Sequence, residues 1–307
     1  MKKVLVRCPA TVANLVCGFD ILGMALNEPF DEIEASLLDH PGIRIFHDDE
    51  FNLPADPQQN VAGAALLALS EAYEKPIGIG LRIKKKIKPG SGLGSSAASA
   101  AGAVAAANHL LGNPFSKDQL VGFAMYGEKL ASGVKHADNI APCIYGGVTL
   151  IRSIFPLDIV ELSYPPVFIT IVHPQIEVKT SDARQILRKE VQLRDAIRQW
   201  GNIAGLVSGF MKKDTALIGR SLEDVIIEPV RSILIPGFDE IKEKSRKAGA
   251  LGGGISGSGP SVFMLSENEK TARNIETQMK SVCSKYEMQF QTYVTTINTA
   301  GIRLMEI

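Results

Sequence analysis

The clearest alternation of apolar and polar positions lies at Ile79, Leu81 and Ile83, which interleave with Gly80, Arg82 and Lys84. A period of two puts alternate side chains on opposite faces, so a half-buried strand is predicted here. Val4–Arg7 and Glu32–Leu38 read as strands of the same kind. Gln58–Tyr73 carries a helical period, with Val61, Ala64, Ala65 and Leu69 on one face. The run from Ser96 to Leu111 is dense in helix formers, and further helices are predicted over Lys117–Ala131 and from Ala137. A strand follows Gly146-Gly147.

Tyr164-Pro165-Pro166 interrupts both kinds of pattern, because consecutive prolines remove backbone donors and fix φ. It marks a boundary between residues 1–163 and 164–307. Beyond it, strands are predicted at Val167–Val172, Val262–Leu265 and Gln289–Val294. Helices are predicted at Arg184–Arg198, Asn202–Met211, Phe238–Ala248 and Lys270–Ser284. With 307 residues, two domains are expected. The mixture of strands and helices predicts an α+β layering rather than a doubly wound sheet.

The chemistry concentrates where the alternating strand meets the alanine-rich helix, at Lys88-Pro-Gly-Ser-Gly-Leu-Gly-Ser-Ser. Gly90, Gly92 and Gly94 permit backbone conformations closed to other residues and allow close approach to a ligand. Unpaired amides and the positive end of the following helix would face that ligand, and phosphate is the natural guest. Taken alone, the stretch fits a plain strand-to-helix turn equally well. It is not a Walker loop, since Gly94 is followed by Ser95-Ser96 rather than Lys-Ser or Lys-Thr. Nor is it a dinucleotide fingerprint, since Ser95 stands where the third glycine belongs.

Lys plus Arg and Asp plus Glu number 33 each, which provides no electrostatic case for nucleic acid or a membrane surface. The Lys84–Lys86 and Lys88 cluster is a local exception. Arg7 interrupts the N-terminal apolar run, so no signal peptide is expected, and no apolar stretch reaches membrane-spanning length. Cys8, Cys17, Cys143 and Cys283 lack paired spacing, which fits free thiols in a reducing cytoplasm.

Three separated segments change this picture: Pro9–Asp20 (Pro-Ala-Thr-Val-Ala-Asn-Leu-Val-Cys-Gly-Phe-Asp), Pro89–Ser99, and Gly249–Pro260 (Gly-Ala-Leu-Gly-Gly-Gly-Ile-Ser-Gly-Ser-Gly-Pro). In order and spacing they resemble the three motifs of the GHMP kinases. The first segment, with Glu128, Ser132-Gly133 and His136-Ala-Asp-Asn-Ile-Ala-Pro142, is similar to the branch that phosphorylates homoserine. That branch usually carries Gly-Pro where this chain has Val16-Cys17, which alters the turn before Asp20.

The resemblance implies a ribosomal-S5-like N-terminal domain, a ferredoxin-like C-terminal domain and a site between them. It implies ATP and Mg²⁺, the substrate L-homoserine, a homodimer, and a place in threonine biosynthesis. Carried onto this chain, Pro89, Gly90, Ser91, Gly92, Leu93, Gly94, Ser95 and Ser96 would cradle the phosphates. Ser96 and Glu128 would hold the metal, and Asn60 and Lys85 would contact adenine. Asp20 would take the substrate ammonium, and Arg184 and Arg231 its carboxylate. Asn14, His136, Thr180 and Asn139 would complete the substrate pocket, with Asp138 the candidate to receive the hydroxyl proton. Mevalonate or a sugar would leave Asp20 without a charge partner, and a non-catalytic nucleotide sensor would have no need of both Ser96 and Glu128.

Overall fold

The structure, a computed structural model, describes residues 2–176, 178 and 180–305, with the side chains of 180 and 181 outside that description. The first half contains β1 (Lys3–Ala13), β2 (Leu22–Leu37), β3 (Gly42–His47), α1 (Val61–Tyr73) and β4 (Gly78–Lys84). It continues with α2 (Ser95–Leu110), α3 (Lys117–Ser132), α4 (Ile140–Tyr145), β5 (Val148–Ile154) and β6 (Leu157–Leu162). The second half contains β7 (Phe168–Pro174), α5 (Thr180–Gln185), α6 (Leu193–Lys212), α7 (Thr215–Ser221) and α8 (Glu228–Arg231). It closes with α9 (Phe238–Lys247), β8 (Gly252–Ile255), β9 (Val262–Ser266), α10 (Glu269–Lys285), β10 (Phe290–Thr296) and β11 (Arg303–Met305).

The larger sheet runs β11-β1-β2-β4-β3, with β5 paired to the start of β2 and β6 to β5. The alternation at Ile79–Lys84 is β4, whose apolar members are buried while Arg82 and Lys84 are exposed. Helix α2 is enclosed by α1, α3 and α4 on one side and β1 and β2 on the other. It is buried nearly all round, and its small alanines let those neighbours approach closely.

The smaller sheet is antiparallel in the order β10-β7-β9-β8. In chain order this is 4-1-3-2 with helical connections after the first and third strands, the ferredoxin-like arrangement expected. Alternation on β9 sorts its residues between two cores. Val262 and Met264 pack with Phe238, Ile241, Ile275 and Met279 of α9 and α10, while Phe263 and Leu265 join Leu206 and Phe210 of α6 in the main core. After β10 the chain returns to the first sheet, through the Leu26–Ile297 bridge and the pairing of β11 with β1.

Two expectations differ from the structure. Arg184–Arg198 is not one helix, because the charged residues Arg188, Lys189 and Glu190 bury nothing and separate α5 from α6. Conversely α6 runs unbroken through Gly201. An interior glycine costs about 1 kcal/mol, less than the apolar face of Ala196, Leu206 and Phe210 returns on burial. The short strands β3, β6, β8 and β11 and the short helices α7 and α8 have no distinct sequence pattern.

Between β1 and β2, Asn14, Leu15 and Val16 have φ of 72°, 40° and 68°, and Asp20 has φ of 62°. The left-handed conformation costs roughly 1–2 kcal/mol per L-residue. Leu15, Val16 and Cys17 are buried, and Asn14 Oδ1 accepts from the Asp20 amide at 3.1 Å, which together hold the turn. The glycine usual at position 16 would adopt this φ without strain; valine, β-branched, does not. Val16→Gly is therefore expected to be more stable than Val16→Ala, on the order of 1 kcal/mol, by denaturant unfolding. Burial alone predicts the opposite order, and observing that order would refute the strain.

Candidate active site

Gly90, Gly92 and Gly94 all take positive φ, at 73°, 77° and 70°. A β-carbon on Gly92 would fall 2.5 Å from Ser256 O, and one on Gly94 would fall 2.0 Å from Thr11 Oγ1. The loop is thus pressed against both the first and the third motif. Its carbonyls are taken up on that side: Ser256 Oγ donates to Gly92 O at 2.7 Å, and the Thr11 amide to Leu93 O at 3.1 Å. Ser95 Oγ donates to Ile87 O at 2.8 Å. Helix α2 starts with no side chain capping its first amides. These face a cleft of about 300 Å³ lined by the loop, Leu53, Val61, Glu128, Asn139 and Gly257-Ser258. An uncapped helix start on an open cleft is suited to an anion such as phosphate.

At the edge of this cradle Ser96 Oγ donates to Glu128 Oε2 at 2.9 Å. Burial raises the Glu128 carboxyl above its ordinary range, against the opposing pull of Ser96 and Arg184. A carboxyl and a hydroxyl beside an open cleft, the carboxyl short of positive charge, form a hard-oxygen donor set that suits Mg²⁺, which keeps several waters. Asp138 lies deeper, enclosed on all sides. Burial, then Asp20 and Glu128, push its carboxyl up to about 8. Its Oδ1 accepts from the Asn139 amide at 3.1 Å. Thr11 Oγ1 donates to Asn139 Oδ1 at 2.7 Å, which leaves the Asn139 NH₂ group available to the cleft.

Lys85 and Asn60 are placed otherwise than expected. Lys85 Nζ donates to Asp31 Oδ2 at 2.6 Å, Ser99 Oγ at 2.8 Å and Ser95 O at 3.0 Å. An ammonium has three donors, so none remains for a base. Asn60 is the N-cap of α1: Oδ1 accepts from the amides of Ala62 and Gly63 at 2.9 and 3.3 Å. Its Nδ2 donates to Pro54 O at 2.6 Å and lies 3.0 Å from His47 Nε2. Lys85 lines the cleft and Asn60 does not, and neither side chain has a free polar atom to read adenine.

The residues expected to hold the substrate lie together beyond Gly257. Arg184 Nη2 donates to both carboxylate oxygens of Asp20, at 2.8 and 2.9 Å, and His136 Nδ1 stands 3.6 Å from Asp20 Oδ1. Burial lowers the His136 imidazole below its ordinary value, which keeps it neutral. Arg231 donates to Ala183 O at 3.0 Å and Gly257 O at 3.1 Å. Burial lowers its guanidinium to about 10, so it remains charged at neutral pH. Asn14 Nδ2 also reaches Gly257 O, at 2.8 Å, tying this cluster to the cleft lining. The side chain of Thr180 lies outside the described residues. Asp224 caps the turn into α8 by accepting from the amides of Ile226, Ile227 and Glu228, and so fixes the element that carries Arg231.

Sequence reasoning missed Thr11, Phe19, Asp31, Leu53, Val61, Ser99 and Asp224 at this site. Thr11 and Phe19 lie inside the first motif and Ser99 inside the second; the rest have no local signal.

Two family models match the chain, that of the GHMP kinases N terminal domain over residues 60–147 and that of the GHMP kinases C terminal over residues 206–285. A homoserine kinase of Chloroherpeton thalassium is 44% identical over 319 residues, covering 99% of this chain and 100% of the relative. One of Chlorobium phaeovibrioides is 45% identical over 320 residues, with 99% and 100% covered. The crystal structure of homoserine kinase from Cytophaga hutchinsonii superposes with a TM-score of 0.95 at 47% identity, covering 99% of this chain and 98% of that one.

The Asp138 carboxyl generates a stability prediction. It titrates at about 8 when folded, against an ordinary value of 3.8. Between these the folded state keeps a proton that the unfolded state has released, so stability present at low pH is lost as pH rises through 8. Asp138→Asn removes that loss. Urea midpoints are expected to be similar near pH 4 and higher for the variant near pH 8.5; equal destabilisation at both pH values contradicts the burial argument.

Proposed function

The chain belongs to the homoserine kinases of the GHMP family, and we propose that ATP and L-homoserine meet in the cleft between the glycine loop and Arg231. The reaction transfers the γ-phosphoryl group of ATP to the side-chain hydroxyl of L-homoserine, a step of threonine biosynthesis that yields ADP and O-phospho-L-homoserine. One juxtaposition carries the assignment of residues. The acidic Asp20 and basic Arg184 and Arg231, the set a zwitterion requires, are tied through Gly257 to the wall of a phosphate cradle.

Phosphoryl transfer is largely positioning and charge stabilisation. The amides of Gly90–Ser96 receive the phosphates, and Leu53 and Val61 give the cleft an apolar wall against which a base can stack. Ser96 and Glu128 are the residues that would hold Mg²⁺. Bound there, Mg²⁺ would supply the charge neutralisation that a loop lysine supplies in Walker-type enzymes, where this chain has Ser95. The Asn139 amide donates toward the reacting oxygen. Asp20 receives the ammonium; the guanidiniums of Arg184 and Arg231 receive the carboxylate. His136 and Asn14 line the pocket, and the resemblance adds Thr180. Burial pushes the Asp138 carboxyl up to about 8, and it is read as a supporting group rather than the required base.

Among the described residues no helix is long and apolar enough to cross a membrane. A cytoplasmic homodimer completes the reading. It is supported by four buried free thiols and by the exposed apolar row Leu193, Ile197 and Trp200 along α6.

A coupled ADP-release assay tests the assignment of substrate: with Mg²⁺ and ATP, turnover is expected with L-homoserine and not with mevalonate or galactose, and silence with L-homoserine would sink it. In the same assay Asp138→Asn is expected to lower kcat less than about tenfold, whereas a working general base is worth about 10²–10⁴.

A further inference from the structure

The groups assigned to opposite ends of the substrate are bonded to each other. Arg184 Nη2 bridges both oxygens of Asp20, at 2.8 and 2.9 Å. The Phe19 ring lies 5.3 Å from the Arg184 guanidinium and 4.9 Å from that of Arg231, so one aromatic ring contacts both cations. Two guanidiniums stand against one carboxylate in this cluster, with Glu128 and Asp138 near enough to interact. Arg184 Nε and His136 Nε2 are both buried and have no hydrogen-bond partner among the described residues. Asp20 therefore stands against the guanidinium that a guest carboxylate would take.

We propose that Asp20 is an intramolecular competitor for the substrate carboxylate, so that the Asp20–Arg184 pair selects for ligands carrying both charges. This rests on the assignment of the cleft to an amino-acid substrate. An incoming zwitterion exchanges one ion pair for two: its carboxylate takes Arg184, and the freed Asp20 takes its ammonium. A ligand with only a carboxylate must break the pair and leave Asp20 unpaired near Glu128 and Asp138. A ligand with only an ammonium leaves Arg184 bare beside Arg231. Discrimination thus comes from the cost of opening the pair as well as from attraction to the correct ligand. A site that is competent only when the pair is open has its apparent affinity lowered by the closed fraction.

Isothermal titration calorimetry with two probes tests this, L-homoserine and 4-hydroxybutanoate, the same hydroxy acid without the ammonium. Asp20→Asn is expected to weaken L-homoserine binding at least tenfold. It is also expected to tighten 4-hydroxybutanoate binding by about tenfold, the order set by a charge-assisted hydrogen bond discounted for exposure. Asp20→Ala is expected to do the same, and tightened binding certifies that a variant is folded. On an Arg184→Met background the Asp20→Asn gain is expected to vanish, which separates competition for Arg184 from a general rise in positive potential. Unchanged or weaker binding of 4-hydroxybutanoate to both Asp20 variants, or a gain that survives in Arg184→Met, overturns the proposal. Failure of L-homoserine to bind the unmodified protein overturns the substrate assignment instead, while the cycle with 4-hydroxybutanoate still decides the competition.

Discussion

The site depends on one buried carboxylate. Asp31 Oδ1 accepts from the amides of Lys86 and Ile87, at 2.7 and 2.8 Å, and Oδ2 accepts from Lys85 Nζ. Lys85 passes the connection on to Ser95 O and Ser99 Oγ in the first turns of α2. The exit of β4 and the start of α2 are thereby held to one point on β2, and the intervening loop must close between fixed ends. Such a pair contributes little net stability, because burying both charges offsets much of their attraction. What it supplies is geometry. The loop can be built from glycines, flexible in isolation, because its two ends are not free to move.

That arrangement also shapes the electrostatics. Ser95 stands where a Walker motif would carry its lysine, and Lys85 is paired with Asp31 beneath the loop. Three carboxyls, Asp20, Glu128 and Asp138, stand close enough to influence one another, and burial raises two of them. Arg184 and Arg231 partly compensate this charge at the substrate end. The Glu128 carboxyl has Ser96 and the more distant Arg184, which leaves it short of positive charge. Burial, reinforced by Asp20 and Glu128, raises the Asp138 carboxyl: ionising it would add a third negative charge in a place water does not reach.

Much of this was legible in the sequence where the physical cause is local. Gly90, Gly92 and Gly94 announce a backbone with positive φ, and the alanine run announces a helix that must pack closely on every side. Asp20 and the two arginines required the family resemblance, since 164 residues separate Asp20 from Arg184 along the chain. Lys84, Lys85 and Lys86 look alike in sequence. Only pairing with a carboxylate 54 residues away decides that Lys85 turns inward. Asn60 stands before a helix, and both a cap and a base contact use the same amide; capping claims it here. The continuity of α6 through Gly201 depends on the core that its far end joins, which no local pattern at the glycine reports.

The third motif acquires its meaning from the same long-range logic. Gly257 O accepts from Asn14 Nδ2 of the first motif and from Arg231 Nη1, and the Gly257 amide donates to Ala13 O at 3.3 Å. One peptide of the smaller domain therefore aligns a polar arm from each half of the chain, while Ser256 fastens the phosphate loop next to it. A β-carbon at Gly257, where φ is 57°, would come within 3.2 Å of Gly92 O. The glycines of the second and third motifs are thus conditions on each other: each lets the other backbone approach. A shift of either loop moves the glycine loop and the Asn14–Arg231 contact together, so the two proposed ends of the site share a single geometric reference rather than two independent ones.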